Sequence, residues 1–333
     1  MIRVRHKVSL LTARTQHRLT FGARSPKFLR TIPRPEILPV TRLSFLLVAL
    51  VLSLPLLAQD SPRHDRDYWR AIARNGYRVP ESQQAFPLMR ELSGYLGSPD
   101  SEMRDDLAYS ILTTWTLHNK QLSAEELNSL ADGWRANLRA QAPGDAVLLR
   151  SFSALVLSGM AERDLKEPFL GVQRYRRLLD DALDYLGTER DLRGFDSSVG
   201  WIHATAHTAD LLATLAANPL FKKEDQARVL NAIATRLSSA GEIFTFGEQD
   251  RLAFAAATIV KRKDFDPDVF SKWLAGLDED KKVWSDSPPR LELLRIFENN
   301  TYMLRGLAAS LCGDTSTEVT NARDAVLKSL QRR

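Results

Sequence analysis

The sequence predicts an all-α fold made of antiparallel helical hairpins, and three observations support this prediction. Apolar residues recur at intervals of three and four along most of the chain after residue 65, as on the buried face of a helix. Residues that start and stop helices flank these segments: Ser123 and Glu126 predict a capping box, and Gly187 and Gly241 follow predicted helix ends. No segment of residues 65–333 has a convincing strand pattern.

The predicted helices follow one another through short connections, which favour antiparallel packing of neighbours. We therefore expect a HEAT-like α-solenoid, or superhelix, with an α/α toroid as the alternative. No repeat of fixed period is visible, and HEAT-type repeats are often weakly self-similar. The main predicted helical segments are Arg104–His118, Ser123–Ala140, Ala146–Ala161, Tyr175–Gly187, Gln226–Ala240, Asp250–Arg262 and Arg290–Leu311.

The net charge of +5 comes from the N-terminus of this 333-residue chain. Residues 1–39 contain nine Lys or Arg and one acid, a net of +8, so residues 40–333 carry +5 − 8 = −3. An acidic body gives no basic surface for a phosphate backbone, so we expect no nucleic-acid binding. The single cysteine, Cys312, excludes an intramolecular disulfide and a four-cysteine zinc site, and we expect a buried, unreactive thiol.

An uncharged run of sixteen residues, 43–58, precedes a polar stretch. It is short for a membrane-spanning helix and typical of a signal-peptide core, so we predict that residues 40–58 direct the protein to the periplasm or outside the cell. The basic, disordered segment 1–39 in front of it suggests that translation starts near Val40. Two alternatives remain open: an uncleaved anchor formed by residues 43–58, and an organelle transit segment. N-terminal helices are expected in 59–98, and the main helical domain in 99–333.

The segment Gly200–Ala217, GWIHATAHTADLLATLAA, is almost wholly apolar apart from two histidines and an aspartate. Placed on one helix, His203, His207 and Asp210 share a stripe about 60° wide with Thr214, and the other faces are apolar or small. A helix that is apolar nearly all round lies in a protein interior. The segment therefore predicts a central, buried helix whose narrow polar stripe lines a cavity or seals a core.

Two interpretations of the stripe remain open. Histidines at i and i+4 can share one metal ion, but Ala204 occupies the position of the zinc-protease glutamate. Asp210 lies about 10 Å along the helix axis from His203, so it is better placed to orient His207. Any metal on His203 and His207 would need ligands from another helix. In the other interpretation, both histidines are neutral, hydrogen-bonded and packed between helices.

Several further polar residues are candidates for the wall of a pocket around this helix. The preceding loop carries Asp191, Arg193 and Asp196, and the N-terminus of a helix favours anions. Arg150 interrupts an apolar helix and cannot stay buried without a partner, so an ion pair with a neighbouring helix is the alternative. The candidate pocket consists of Arg150, Asp196, Trp201, His203, His207, Asp210, Glu248, Asp250 and Asn300.

The chain resembles the bacterial DUF2785 family, a domain of unknown function. The resemblance rests on RDDLAYSIL (Arg104–Leu112), LLRSFSALVL (Leu148–Leu157), DLRGFDSSVGWIHATAHTADLL (Asp191–Leu212) and GEQDRLAFA (Gly247–Ala255). It implies an all-helical, HEAT-like fold without an assigned activity, and it supplies no catalytic or binding residues. An export signal is not implied by the resemblance.

Two classes of function follow. One is a non-catalytic helical scaffold that binds a protein, peptide or small ligand on a concave face. The other is a periplasmic hydrolase or metal-dependent enzyme, with His203 or His207 as general base or metal ligand and Asp210 orienting it. The sequence contains no P-loop, dinucleotide fingerprint or G-x-S-x-G, and it identifies no cofactor. Convergence of the candidate residues in one cavity would favour a ligand or catalytic site.

Overall fold

A computed structural model describes residues 64–140, 146–285 and 287–333, and this part of the chain is all-α, as predicted. The basic segment 1–39 and the predicted signal segment 40–58 lie outside the described residues. The helices are α1 Arg66–Arg74, α2 Ala85–Ser93, α3 Ser110–His118, α4 Ala124–Leu138, α5 Ala146–Lys166, α6 Gly171–Thr188, α7 Ala204–Ala217, α8 Lys223–Ser239, α9 Glu248–Val260, α10 Pro267–Leu277, α11 Leu291–Ser310 and α12 Thr317–Gln331.

Three shorter helical segments supplement these: 3₁₀ helices at Gly94–Gly97 and Asp278–Ser285, and a π-helix at Glu102–Tyr109 that runs directly into α3. The predicted capping box is present at the start of α4, where the Ser123 side chain accepts from the Glu126 backbone and the Glu126 side chain accepts from the Ser123 backbone. The start of α4 could therefore be predicted from the residues next to it in the sequence.

The helices form two layers, in which each helix packs against the next but one. Helices α3, α5, α7, α9 and α11 contact one another in succession, and so do α4, α6, α8, α10 and α12. Contacts between α4 and α5, α6 and α7, α8 and α9, and α11 and α12 join the layers. Short connections between successive helices favour this pattern.

Helix α7 occupies the centre of its layer, between α5 and α9. Its leucines and all of its alanines except the terminal Ala217 are buried, which confirms the prediction of an interior helix. Small side chains allow its neighbours to approach closely, and the long apolar ones fill the space between the helices. The core helix thus carries His207 and Asp210 into the middle of the layer.

The prediction of a single helix over Gly200–Ala217 was wrong for its first four residues. Gly200–Trp201 forms strand β2, which pairs antiparallel with strand β1, Phe195–Asp196. His203 has a left-handed backbone with φ of 48°, which cannot continue a right-handed helix, so α7 begins at Ala204. The Gly194 carbonyl oxygen accepts from the amides of both Ile202 and His203 and fixes this turn.

The prediction that Cys312 is buried was also wrong. The residue is exposed because it lies just beyond the C-terminal end of α11, and its Sγ donates to the Ala308 carbonyl at 3.4 Å. Among the described residues, no helix combines the length and the apolar character needed to cross a membrane.

Candidate functional site

The β1–β2 hairpin is fastened to the body of the protein by Arg104, a fully buried arginine of the π-helix. Its guanidinium donates to the carbonyl oxygens of Val199 at 2.7 Å and Trp201 at 3.2 Å, and also to Ser98 at 2.8 Å. Gly200 has a φ of +81°, a left-handed conformation that favours glycine, and a Cβ atom there would lie 3.3 Å from the Ser101 Cβ and 3.4 Å from the Arg104 guanidinium. Arginine serves well here because its donors lie in a fixed planar fork.

Sequence reasoning missed Arg104. The one signal for it was a charged residue between the apolar residues Met103 and Leu107, but 95 residues separate it from Val199, its nearest partner in the hairpin. A buried arginine needs acceptors, and nothing local showed which acceptors these were.

Three aromatic side chains form an exposed cluster on the hairpin and on the loop before α9. Phe195, Trp201 and Phe246 are 44%, 43% and 45% exposed, and each ring contacts the other two at centroid distances of 5.1 to 6.3 Å. We call these residues the aromatic cluster. The Trp201 ring also lies against the His203 ring, with 4.4 Å between centroids. The aromatic cluster is therefore continuous with the first histidine of the motif.

Beneath Trp201, His203 faces Glu248, the first residue of α9. The His203 Nε2 and the Glu248 Oε1 are 3.6 Å apart, which is too long for a hydrogen bond. Both atoms are buried, and neither has a hydrogen-bond partner within the described part of the chain. The other carboxylate oxygen, Oε2, accepts from the Phe246 amide at 2.9 Å, which fixes the carboxyl group. We call these two side chains the His203–Glu248 pair.

Burial shifts the pKa of both members of the His203–Glu248 pair toward the neutral form. Desolvation raises the pKa of Glu248, and the nearby charge of Glu242 adds to this effect. Desolvation lowers the pKa of His203, partly offset by the carbonyl group of Phe246. His203 is therefore neutral at pH 7 and does not neutralise a Glu248 carboxylate.

Gly194 lies close to the Glu248 carboxyl group and the Phe246 side chain. A Cβ atom at this position would lie 2.5 Å from Glu248 Oε1 and 2.6 Å from the Phe246 Cβ. Only glycine lets the chain pass this close, so the identity of residue 194 determines where the Glu248 carboxyl group can sit.

His207 is held deep in the core by Ser151 of α5. The Ser151 Oγ lies 2.8 Å from His207 Nδ1 and also contacts the Ile202 carbonyl oxygen. Because a carbonyl only accepts, the hydroxyl proton goes to Ile202, and His207 Nδ1–H donates to Ser151. Burial, together with the nearby His203 and Arg251, lowers the pKa of His207 to about 3, so the ring is neutral.

The carboxylate that follows the two histidines does not orient His207. Both oxygens of Asp210 accept from Arg251 of α9, at 2.7 and 2.8 Å. Burial raises the pKa of Asp210 in spite of this ion pair. The expectation that Asp210 orients His207 was wrong because an arginine 41 residues away along the chain takes the carboxylate.

The remaining candidate residues have their own partners. Arg150 pairs with Glu189 at 2.7 Å, the ion pair expected as the alternative to a pocket role. Asp196 accepts from Ser198 and pairs with Arg193, which lowers the pKa of Asp196 to about 2. The structure therefore brings together Trp201, His203, His207, Asp210 and Glu248, all around the start of α7 and α9.

Two candidates lie against other elements. Asp250 points toward α11, since a Cβ atom on Gly306 would meet its Oδ1 at 2.7 Å. Asn300 donates to Asp280 at 2.8 Å and lines a groove of about 630 Å³ between α8, α10 and α11. These contacts tie the C-terminal helices together.

Metal binding by His203 and His207 stays a prediction. Their ring centroids are 5.7 Å apart, and Nδ1 of His207 is engaged by Ser151. Across residues 64–140, 146–285 and 287–333, no group of three or more His, Cys, Asp or Glu side chains is arranged to hold a metal ion.

One comparison with known proteins gives a match. The model of a family described as "Protein of unknown function (DUF2785)" matches residues 136–308, which contain α5 to α10, the hairpin and most of α11. No curated protein and no solved structure matches the chain.

Proposed function

The chain belongs to the DUF2785 family of proteins of unknown function, and from the geometry of its site we propose that it is a binding protein. In this proposal, a peptide segment of a partner protein docks on the aromatic cluster of Phe195, Trp201 and Phe246. The observation that carries the proposal is that three large aromatic side chains, each more than two-fifths exposed, pack together above the buried His203–Glu248 pair.

Exposed aromatic side chains that cluster are typical of recognition surfaces. Tryptophan and phenylalanine are enriched in protein interfaces, and a few such residues provide most of the binding free energy. A bound partner would bury these rings, and the removal of their apolar surface from water favours binding. Arg104 fixes the backbone at Val199 and Trp201, so little order has to be gained when a partner binds.

The arrangement of the helices supports a scaffold. Successive contacts among α3, α5, α7, α9 and α11 in one layer, and among α4, α6, α8, α10 and α12 in the other, support a HEAT-like solenoid, a fold that offers extended surfaces to partners. We propose that architecture here. Export to the periplasm, directed by residues 40–58, is a separate proposal that the docking site does not require.

The hydrolase alternative has less support. Asp210 is engaged by Arg251, and Ser151, the hydroxyl beside His207, is fully buried and donates to a carbonyl. A catalytic nucleophile has to reach the substrate, and a base has to reach the proton that it removes. Docking on the aromatic cluster starts from rings that are already exposed.

The proposal is tested by panning a phage-displayed peptide library on the purified protein, with counter-selection on Trp201→Ala. We expect peptides with micromolar dissociation constants that bind Trp201→Ala at least about tenfold more weakly, the loss of a typical interface hot spot. Trp284→Ala is the matched control, because Trp284 is 56% exposed and packs on Phe297 in another part of the protein. Peptides that bind wild type and Trp201→Ala equally, or no peptides at all, would contradict the proposal.

A further inference from the structure

Glu248 is a buried acid without a cation beside its carboxyl group. Asp164 has none either, but it accepts from the amides of Phe169 and Leu170 and from the side chain of Asn218. Among the other acids whose side chains are at most about a tenth exposed, Glu91 contacts His64, and four pair with an arginine: Asp181 with Arg135, Glu189 with Arg150, Asp225 with Arg176 and Asp280 with Arg333.

The Oε1 atom of Glu248 has neither a paired arginine nor a hydrogen-bond donor within the described residues. Its side chain is 2% exposed, and only Oε2 accepts from another residue's amide, that of Phe246. Its neighbour Glu242 is another acid, and its neighbour His203 is neutral. A buried carboxylate without a cation is unfavourable, so a positive charge placed beside Glu248 would stabilise its ionised form.

The geometry of the His203–Glu248 pair defines the chemistry of that group. When the His203 ring proton is on Nδ1, Nε2 and the Glu248 Oε1 are two acceptors 3.6 Å apart. A group that satisfies both has to donate at least two hydrogen bonds. A lysine ammonium has three donors and an arginine guanidinium five, and both carry the charge that Glu248 lacks.

We propose that the docked peptide inserts one lysine or arginine side chain between His203 Nε2 and Glu248 Oε1, and this inference rests on the proposed docking function. The aliphatic stem of the side chain packs on the aromatic cluster, whose ring faces also attract the cation. Glu248 supplies the charge, and His203 supplies the second acceptor.

Entry of the cation requires the Trp201 side chain to turn away from His203. Both acceptor atoms are closed to solvent while the Trp201 ring lies against His203. Trp201 is 43% exposed and ends a strand of two residues, so its indole can turn toward solvent while Arg104 keeps hold of its carbonyl. The ring then covers the inserted side chain in place of His203.

The test uses the peptides that bind in a Trp201-dependent manner. Each of their lysines is replaced by norleucine, or each arginine by citrulline, and both forms are titrated against wild type and Glu248→Gln. We expect one replacement to weaken binding to wild type at least about tenfold and binding to Glu248→Gln less than about twofold, as for two groups in direct contact. Glu242→Gln, which removes an exposed acid nearby, should keep the tenfold difference.

Other outcomes separate this inference from the docking proposal. Trp201-dependent peptides that tolerate replacement of every cationic residue would overturn the inference and leave the docking site in place. A replacement that weakens binding to wild type and to Glu248→Gln equally would overturn it as well.

Agmatine, a small free guanidinium compound, tests whether the cation comes from a peptide at all. If agmatine binds as tightly as the peptides, the ligand is a small amine and the proposal of a peptide is wrong. Failure to obtain any Trp201-dependent peptide would overturn both proposals. Thermal unfolding of Glu248→Gln checks that the variant is folded.

Discussion

The hydroxyl of Ser151 lies 2.8 Å from Nδ1 of His207 and also contacts the carbonyl oxygen of Ile202. One side chain of α5 therefore fixes two parts of the motif, the second histidine within α7 and the backbone just before the first. The left-handed turn at His203 starts one residue after this anchored carbonyl. The position of the His203 ring thus depends on a hydroxyl that no ligand can reach.

We predict that Ser151→Ala lowers the free energy of unfolding by about 1–3 kcal/mol, because the substitution leaves a buried N–H and a buried carbonyl without partners. Urea denaturation followed by circular dichroism measures this loss. Ser158→Ala is the matched control, since Ser158 lies on the same helix and contacts Thr214 of α7 at 3.3 Å with partial exposure. Equal losses in the two variants would contradict the special role of Ser151.

Arg104→Met should be among the most destabilising substitutions in the protein. It leaves three carbonyl oxygens and the Asp105 carboxylate without their donor, and we expect a loss of about 3 kcal/mol or more. Because the hairpin is then released, the emission of the partly exposed Trp201 should shift toward that of a tryptophan in water. Arg70→Met, which removes a pairing with Glu102 of the same π-helix in which both side chains are about one third exposed, should cost much less.

Gly194→Ala should destabilise the protein and displace Glu248, because the new Cβ atom would collide with the Glu248 carboxyl group and the Phe246 side chain. We expect a loss of about 1–3 kcal/mol in denaturant unfolding, together with weaker peptide binding. Gly133→Ala offers the opposite case. Gly133 is inside α4 with open space around it, so alanine there should stabilise by about 0.5–1 kcal/mol. A tolerated Gly194→Ala would disprove the close packing at Glu248.

The periodic part of the fold could be predicted from the sequence, since helices and their caps depend on residues three and four apart. The capping box at Ser123 and the buried character of α7 are both of this kind. The β1–β2 hairpin could not be predicted, because strands of two residues are too short to produce an alternating pattern. The left-handed turn at His203 directly follows this hairpin and could not be predicted either. The sequence prediction therefore placed His203 on a helix face that it does not occupy.

The partners of the motif residues could not be predicted for a different reason. Glu248, Arg251 and Arg104 lie between 41 and 97 residues from His203, Asp210 and Trp201, which they respectively contact, and their positions follow from the packing of α7 against its neighbours. The sequence did indicate that Glu248 starts a helix, where its charge could simply complement the helix dipole. Only the packing of that helix start against His203 makes it part of a site.

Glu248→Gln should leave the unliganded protein as stable as wild type or more stable at pH 8. Because the pKa of Glu248 is raised by folding, its ionisation opposes folding, and stability is lost as the pH rises from the unfolded pKa through the folded one. Glutamine removes this penalty, and we expect a gain of up to about 1 kcal/mol.

The control for this variant is Glu189→Gln. It removes a buried carboxylate that pairs with Arg150 and accepts from the amides of Arg190 and Asp191, and it should cost about 3 kcal/mol. A Glu248→Gln variant that loses as much as Glu189→Gln would mean that a cation within the chain already neutralises Glu248.

His207 should make the protein less stable in acid. Its pKa is about 3 in the folded protein and 6.5 when unfolded, so only the unfolded state takes up a proton between these values. Stability is therefore lost as the pH falls from 6.5 toward 3, by about 3 kcal/mol at pH 4, since each pH unit contributes about 1.4 kcal/mol. The charges of Arg251 and Arg104 and any charge on His203 oppose protonation of the ring.

Other groups titrate over the same range: the lowered pKa of His203 acts in the same direction and the raised pKa of Glu248 in the opposite one. The informative quantity is therefore the difference between wild type and His207→Asn, in which the amide replaces the Nδ1–H donor to Ser151. Urea unfolding at pH 7, 5.5 and 4 should show that wild type loses about 3 kcal/mol more than His207→Asn over this range. His118→Asn, at an exposed histidine, should follow wild type. Parallel losses in wild type and His207→Asn would mean that the buried His207 ring takes up a proton without unfolding.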